Sequence, residues 1–255
     1  MTQHPDGTAA IHPDAALAAH LATEAGHLLV HLRDELHTQG APSWQIMDSG
    51  DLASHRFLMQ ALHDAHPDDA VLSEEGTEDP RRFAADRVWI VDPLDGTNEY
   101  GEHGRSDWAV HVALWERGEL VAGAVALPGQ GVTIATPEVP APPAPTGAPR
   151  IVVSRTRPPA VAMQVRAALN GDLVAMGSAG AKVAAVIQGR AEVYVHAGGQ
   201  YEWDSAAPVA VARAAGLHTS RIDGSPLRYN QSDPLLPDVV VCQPQFADAV
   251  LAALR

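Results

Sequence analysis

Between Pro13 and His37 the apolar side chains Leu17, Leu21, Ala25, Leu28, Leu32 and Leu36 return every three or four positions, the spacing of one buried face of an α-helix. A second helix is predicted from Asp51 through Phe57, Leu58 and Leu62 to a stop before Pro67. The period then shortens. Arg87-Val-Trp-Ile-Val91 reads as a buried strand running into an acid-rich turn, Asp92-Pro-Leu-Asp-Gly-Thr97, and strand ends of this kind are where chemistry collects. Trp108 to Trp115, Glu119 to Leu127 and Val132 to Thr136 follow as the antiparallel strands of a meander, the first two joined at Glu116-Arg-Gly118.

Residues 137–149 hold six prolines, Pro137, Pro140, Pro142, Pro143, Pro145 and Pro149, and so continue neither a helix nor a central strand. This stretch is taken as a linker between an N-terminal α+β domain, 1–136, and a C-terminal α/β domain, 150–255. In the second half strands and helices alternate: strand Ile151 to Ser154, helix Pro159 to Leu169, strand Leu173 to Met176, helix Ala179 to Gln188, strand Ala191 to Val195, helix Asp204 to Ala215 stopped by Gly216, strand Val239 to Cys242 and a terminal helix. Such alternation argues for a layered α/β fold.

Composition narrows the function. With 46% apolar and 19% charged residues over 255 positions, the chain can bury a core of its own. Seventeen Lys and Arg against thirty-one Asp and Glu leave a net charge of −14, which repels a phosphodiester backbone and an anionic leaflet alike. Nucleic acid and membrane are therefore not expected partners. One cysteine, Cys242, excludes an internal disulfide and a cysteine metal cage. No apolar run is long enough for a membrane span, and the first residues lack the features of a signal peptide, so the cytoplasm is the expected compartment.

Four carboxylates stand out by context: Glu74 in Ser73-Glu-Glu75, Asp92 and Asp95 in the acidic turn, and Asp204 in Tyr201-Glu-Trp-Asp-Ser205. Gathered at one site they would repel; two unit charges 4 Å apart cost about 4 kcal/mol at an effective dielectric of 20. Such a cluster needs bound cations or raised pKa values, and hard oxygen donors favour magnesium or manganese over zinc. The spacing of Asp92 and Asp95 lets both carboxylates and the Leu94 carbonyl face one point. Gly96 leaves room for close approach, and Thr97 with Asn98 can open a short helix whose free N–H groups accept a phosphate. Two ions at such a site could activate water and stabilise the leaving oxygen.

Each piece has a plainer reading. Asp-Gly-Thr is commonly a turn, Glu74 and Glu75 can be solvated loop acids, and Asp204 is simply explained as the N-cap of its helix, a reading that tolerates Pro208 in the first turn. His103, His111 and His196 lack a tight metal-ligand spacing and read as structural. An EF-hand loop starting at Asp92 fails because its twelfth position is His103. A haloacid-dehalogenase-type pair needs one residue between its aspartates, where two stand here, and no Gly-x-Ser-x-Gly elbow supports a serine hydrolase.

Taken together, Ser73-Glu-Glu75, Trp89-Ile-Val-Asp-Pro-Leu-Asp-Gly-Thr97 and Trp203-Asp-Ser-Ala-Ala207 resemble the motifs of the lithium-sensitive, magnesium-dependent phosphomonoesterases that include inositol monophosphatase, fructose-1,6-bisphosphatase and bisphosphate nucleotidases. Asp107-Trp-Ala-Val-His111, Ser154-Arg-Thr-Arg-Pro-Pro159, Gly177-Ser-Ala-Gly-Ala-Lys182, His196-Ala-Gly-Gly199 and 223–231 are similar to the actinobacterial CysQ branch, the 3′(2′),5′-bisphosphate nucleotidases of sulfate assimilation.

The resemblance implies an α-β-α-β-α sandwich with its site between the two halves. It implies that Glu74, Asp92, the Leu94 carbonyl, Asp95 and Asp204 hold two or three Mg2+ ions, with Li+ as inhibitor, and that Asp51 and Thr97 orient and deprotonate the attacking water. Asp51 follows Met47-Asp-Ser-Gly50, where the commoner pattern is rich in threonine. Glu74, Gly96, Thr97, Asn98, Arg155, Ser178, Lys182 and Asp204 become candidate substrate contacts, with Arg157 and Arg190 as further cations for a second phosphate. The implied reaction is in-line attack of metal-activated water on the 3′-phosphate of 3′-phosphoadenosine 5′-phosphate, and of its sulfated analogue. An inositol-1-phosphate or fructose-1,6-bisphosphate phosphatase with the same machinery is the alternative substrate class, and a non-catalytic nucleotide or metal sensor the alternative of another kind. Relatives in this superfamily are often homodimers.

Overall fold

A computed structural model describes residues 12–255. Two five-stranded sheets alternate with three helical layers. The first sheet contains β1 (Ala70–Ser73), β2 (Arg87–Asp95), β3 (Ala109–Glu116), β4 (Glu119–Leu127) and β5 (Val132–Ala135) in chain order, with β1 parallel to β2 and the rest antiparallel. The second contains β6 (Arg150–Ser154), β7 (Asp172–Met176), β8 (Val193–Ala197), β9 (His218–Ser220) and β10 (Asp238–Cys242) in the order β7-β6-β8-β10-β9.

Strand alternation explains the layering. In β2, Val88 and Ile90 enter one core while Trp89 and Val91 enter another; in β10, Val239 and Val241 face inward while Val240 and Cys242 face outward. Sheets with two apolar faces must be covered on both sides. Helices α1 (Ala15–Thr38) and α2 (Ser43–Ala65) cover the outer face of the first sheet. Helices α4 (Ala160–Leu169) and α7 (Ala247–Ala253) cover the outer face of the second. Between the sheets lie α5 (Ala179–Ile187) and α6 (Glu202–Ala214), both buried along almost their whole length. The five layers match the sandwich that the sequence motifs imply.

Three elements depart from the sequence reading. Helix α2 begins at Ser43, eight residues before Asp51, because its buried stripe runs Ile46, Gly50, Ser54, Leu58, Leu62 at a strict spacing of four, and Gly50 and Ser54 hide that stripe from an apolar pattern. The acidic segment is no simple turn: β2 continues through it to Asp95, with a register shift against β3 between Asp92 and Asp95. Helix α6 starts at Glu202, so the N-cap is Tyr201 and Asp204 lies in the first turn, from which its side chain reaches back to the N-cap N–H, and Pro208 sits inside the helix, where it can give no N–H to the Asp204 carbonyl. Strands β1 and β9, of four and three residues, are too short to carry an alternating pattern of their own. Among the described residues no helix is long and apolar enough to cross a membrane.

The middle layer carries the consequence for function. Helix α6 lies directly on β4 at Gly123, where a Cβ would come within 2.5 Å of Ala210 Cβ. Gly123→Val is expected to cost about 1–3 kcal/mol through overpacking, lowering Tm by about 2–12 °C in a chain of this size. Thermal denaturation followed by circular dichroism checks this; a wild-type Tm would mean that α6 does not rest on that face.

Candidate active site

The bulged end of β2 delivers the acids. Ser54 of α2 donates to the Pro93 carbonyl at 2.6 Å, and the Leu94 N–H donates to Asp92 Oδ1 at 3.1 Å, so the corner is held from both sides. Gly96 then turns the chain with φ +88°, a left-handed conformation, and its lack of a Cβ leaves room for Ser178. Thr97 starts α3 (Thr97–Gly101). At the far end of α3 the buried Arg33 of α1 donates to the carbonyls of Glu99, Glu102 and Arg105 and fixes where the helix stops.

Asp92, Asp95 and Asp204 come together: one carboxylate oxygen from each lies within 4.8 Å of the others. Each acid has one oxygen engaged. Asp95 Oδ2 accepts from Ser178 Oγ at 2.6 Å and from the Gly180 N–H at 2.7 Å, both at the start of α5. Asp204 Oδ2 accepts the Tyr201 N–H at 2.7 Å, so its helix-capping and cleft-facing roles coexist. Hydrogen bonds thus orient all three acids of the cluster. Glu74 stands at the lip of the same cleft, close enough for its charge to act on Asp92.

Burial and mutual repulsion push these groups away from their ordinary values. Burial first, then the charges of Asp204 and Asp95, raise Glu74 to about 7. Burial and the charge of Asp95 raise Asp204 to about 6, and Asp92 rises well above the usual range through burial, Glu74 and Asp95. Burial also works against ionised Asp95, but His111, Lys182 and the Ser178 hydrogen bond outweigh it and hold its carboxyl at about 2. Oxygen-only donors, two of them buried and in excess of nearby positive charge, fit a hard divalent cation with ligands at about 2.0–2.6 Å.

Thr97 Oγ1 lies 3.3 Å from Asp51 Oδ1 and 3.1 Å from the Leu94 carbonyl oxygen. Asp51 belongs to α2, and burial with the neighbouring charge of Glu75 raises its carboxyl to about 7.

The cleft that these groups open into has a volume of about 540 Å³, a size suited to a small-molecule ligand. Glu74, Asp95, Gly96, Thr97, Asn98, Arg155, Ser178, Lys182 and Asp204 all line it. Asp92 lies beneath, fully buried. Arg155 reaches the cleft already paired to Glu99 at 2.8 Å and Glu102 at 2.6 Å. Lys182 is buried, donates to the Gly177 carbonyl, and has its pKa lowered by burial. Arg157 is exposed on the rim with no carboxylate partner among the described residues. Arg190 bonds to Gln188 and Gln130 and does not line the cleft.

Arg33, Glu99 and the proximity of His111 to Asp95 are additions of the structure to the sequence-derived site. Arg33 carried a signal, a cation four positions after Leu29 on the buried face of α1. His111 carried another, a polar residue between the inward-facing Ala109 and Ala113.

Comparison with known proteins agrees with this geometry. The model of the inositol monophosphatase family matches residues 12–255. A protein of Mycobacterium leprae named 3′-phosphoadenosine 5′-phosphate phosphatase is 48% identical over 255 residues, covering 95% of this chain and 93% of its own length. Its namesake in Mycobacterium tuberculosis is 50% identical over 240 residues, covering 91% and 89%. The crystal structure of inositol monophosphatase II from Staphylococcus aureus superposes with a TM-score of 0.77 at 21% identity, covering 93% of this chain and 91% of that one, a likeness of fold. With the family model spanning both sheets and every acid of the cleft, the chain belongs to the inositol monophosphatase family.

Proposed function

We propose that the chain is a magnesium-dependent phosphomonoesterase that removes the 3′-phosphate of 3′-phosphoadenosine 5′-phosphate, giving AMP and inorganic phosphate. The observation that carries this reading is the convergence of three carboxylate oxygens within 4.8 Å at the floor of a nucleotide-sized cleft. The substrate is supported by the near-half identity to the mycobacterial proteins of that name. The partner is thus a small phosphorylated nucleotide, with the cytoplasm as the compartment and a homodimer as the proposed assembly.

Asp92, Asp95, Asp204, Glu74 and the Leu94 carbonyl would hold the ions. When bound, Mg2+ supplies neutralisation of the acids and stabilisation of charge on the entering and departing oxygens, and Li+ is the proposed inhibitor. The chain's own residues supply the proton path and the alignment. Thr97 Oγ1 takes a proton from water as it passes its own to Asp51, a carboxyl raised to about 7 and thus suited to act as a base near neutrality. The N–H groups that open α3 have no helical partners and can receive phosphate oxygens. Ser178 offers less to the substrate, since its hydroxyl already donates to Asp95. An arriving second phosphate must compete with Glu99 and Glu102 for Arg155, whereas Arg157 has no such rival. Arg157 is therefore the assigned contact, with Lys182 supplying positive charge from below.

A substrate panel tests the reading. The catalytic efficiency kcat/KM is expected to be highest for 3′-phosphoadenosine 5′-phosphate, ahead of inositol 1-phosphate and fructose 1,6-bisphosphate; a higher value for either sugar phosphate overturns the substrate assignment. In the same assay Thr97→Val should lower kcat by about 10²–10⁴-fold with the fold retained, and an unimpaired variant would remove Thr97 from the proton path.

Linkage gives a second test, independent of turnover. Glu74 and Asp204 have folded-state carboxyls raised to about 7 and about 6 from ordinary values of 4.5 and 3.8. Their contribution stabilises the cation-free fold below those ordinary values and is lost as pH rises through 6 to 7. Divalent cations compete with the same protons, so saturating Mg2+ should raise Tm more at about pH 8 than at about pH 5.5. Differential scanning calorimetry with and without chelator measures this. An equal shift at both pH values, or none, contradicts the cation assignment.

A further inference from the structure

His111 stands in β3 with its side chain wholly buried, at the point where four elements of the cleft meet. Its Nδ1 lies 3.1 Å from the Trp203 carbonyl oxygen. A carbonyl can only accept, so Nδ1 carries the proton. The other nitrogen, Nε2, is thereby turned to Asp95 and lies 3.2 Å from Oδ2, the same oxygen that accepts from Ser178 and Gly180. Nε2 is buried and makes no hydrogen bond among the described residues, its contact with Asp95 being one of proximity alone. Space for the ring depends on Gly180, since a Cβ at that position would press directly on Nε2.

The imidazole therefore touches Asp95 at the end of β2 on one side and the backbone immediately before Asp204 on the other. Asp92 Oδ2 is also nearby, 3.9 Å from Nδ1. These acids arrive on separate elements, and no direct hydrogen bond joins the side chain of Asp95 to that of Asp204 among the described residues. We propose that His111 is a positioning residue that sets the separation of Asp95 and Asp204, and through it the affinity of the cleft for a divalent cation. The proposal rests on the reading of the acids as cation ligands. It assigns His111 no contact with substrate, as His111 does not line the cleft.

The test is Mg2+ titration by isothermal calorimetry without substrate, beside kinetics at saturating Mg2+. His111→Leu fills much of the same space without a polar atom, and is expected to weaken Mg2+ binding by about 10–100-fold while leaving KM for the nucleotide unchanged. His111→Asn, which can still donate to the Trp203 carbonyl, should recover part of that loss. A folded His111→Leu protein with wild-type Mg2+ affinity overturns the proposal, as does a loss confined to KM. If Asn is no better than Leu, the ring acts only as packing and the proposal also fails. Should the leucine variant not fold, Gly180→Ala presses on the imidazole without removing it; weakened Mg2+ binding there supports the role, and undiminished binding contradicts it. Wild-type protein that takes up no Mg2+ defeats the underlying cation reading instead, so the two failures are told apart.

Discussion

Like charges held together against their repulsion are the constraint on which this molecule turns. Asp92, Asp95 and Asp204 are each fixed by a hydrogen bond to one oxygen, from the Leu94 N–H, from the start of α5 and from the Tyr201 N–H, and one carboxylate oxygen of each lies within 4.8 Å of the others. Those hydrogen bonds orient the acids without neutralising them. The resulting excess of negative charge has two outlets, protonation or a bound cation, and burial with mutual repulsion raises the carboxyls of Glu74, Asp92 and Asp204 accordingly.

The five-layer architecture is what brings these groups into range. The first sheet supplies Asp92 and Asp95 where β2 outruns its regular pairing with β3, and the middle helices supply Ser178, Lys182 and Asp204 from their first turns. The second sheet faces the same opening through Arg155, whose pairing with Glu99 and Glu102 ties β6 to α3 across the cleft. Arg33 holds the opposite end of that short helix by its carbonyls. The base, the acids and the phosphate-facing backbone are thus set before any ligand arrives, the preorganisation on which electrostatic catalysis depends.

Much of this could be read from one sequence because the chemistry is carried by short local motifs. The strand before Asp92, the opening of α3 at Thr97 and the strand–helix alternation of the second half follow from local pattern, and the layered fold follows from the motifs taken together. What escaped was non-local. The start of α2 is hidden because Gly50 and Ser54 serve as its buried positions, chosen for close packing and for the bond to Pro93 instead of for apolarity. The pairing of Arg155 spans more than fifty residues, and no spacing rule connects Arg155 to Glu99. His111 resembled a core histidine, and it is one; only the folded arrangement reveals that the core it occupies ends at Asp95.

The convergence of the three aspartates can be seen directly in crystals grown with Mn2+, which scatters anomalously where Mg2+ does not. An anomalous peak is predicted amid the carboxylates of Asp92, Asp95 and Asp204, at about 2.0–2.6 Å from its ligands. Saturated crystals that show no peak there, with the three carboxylates unchanged in position, would contradict the account.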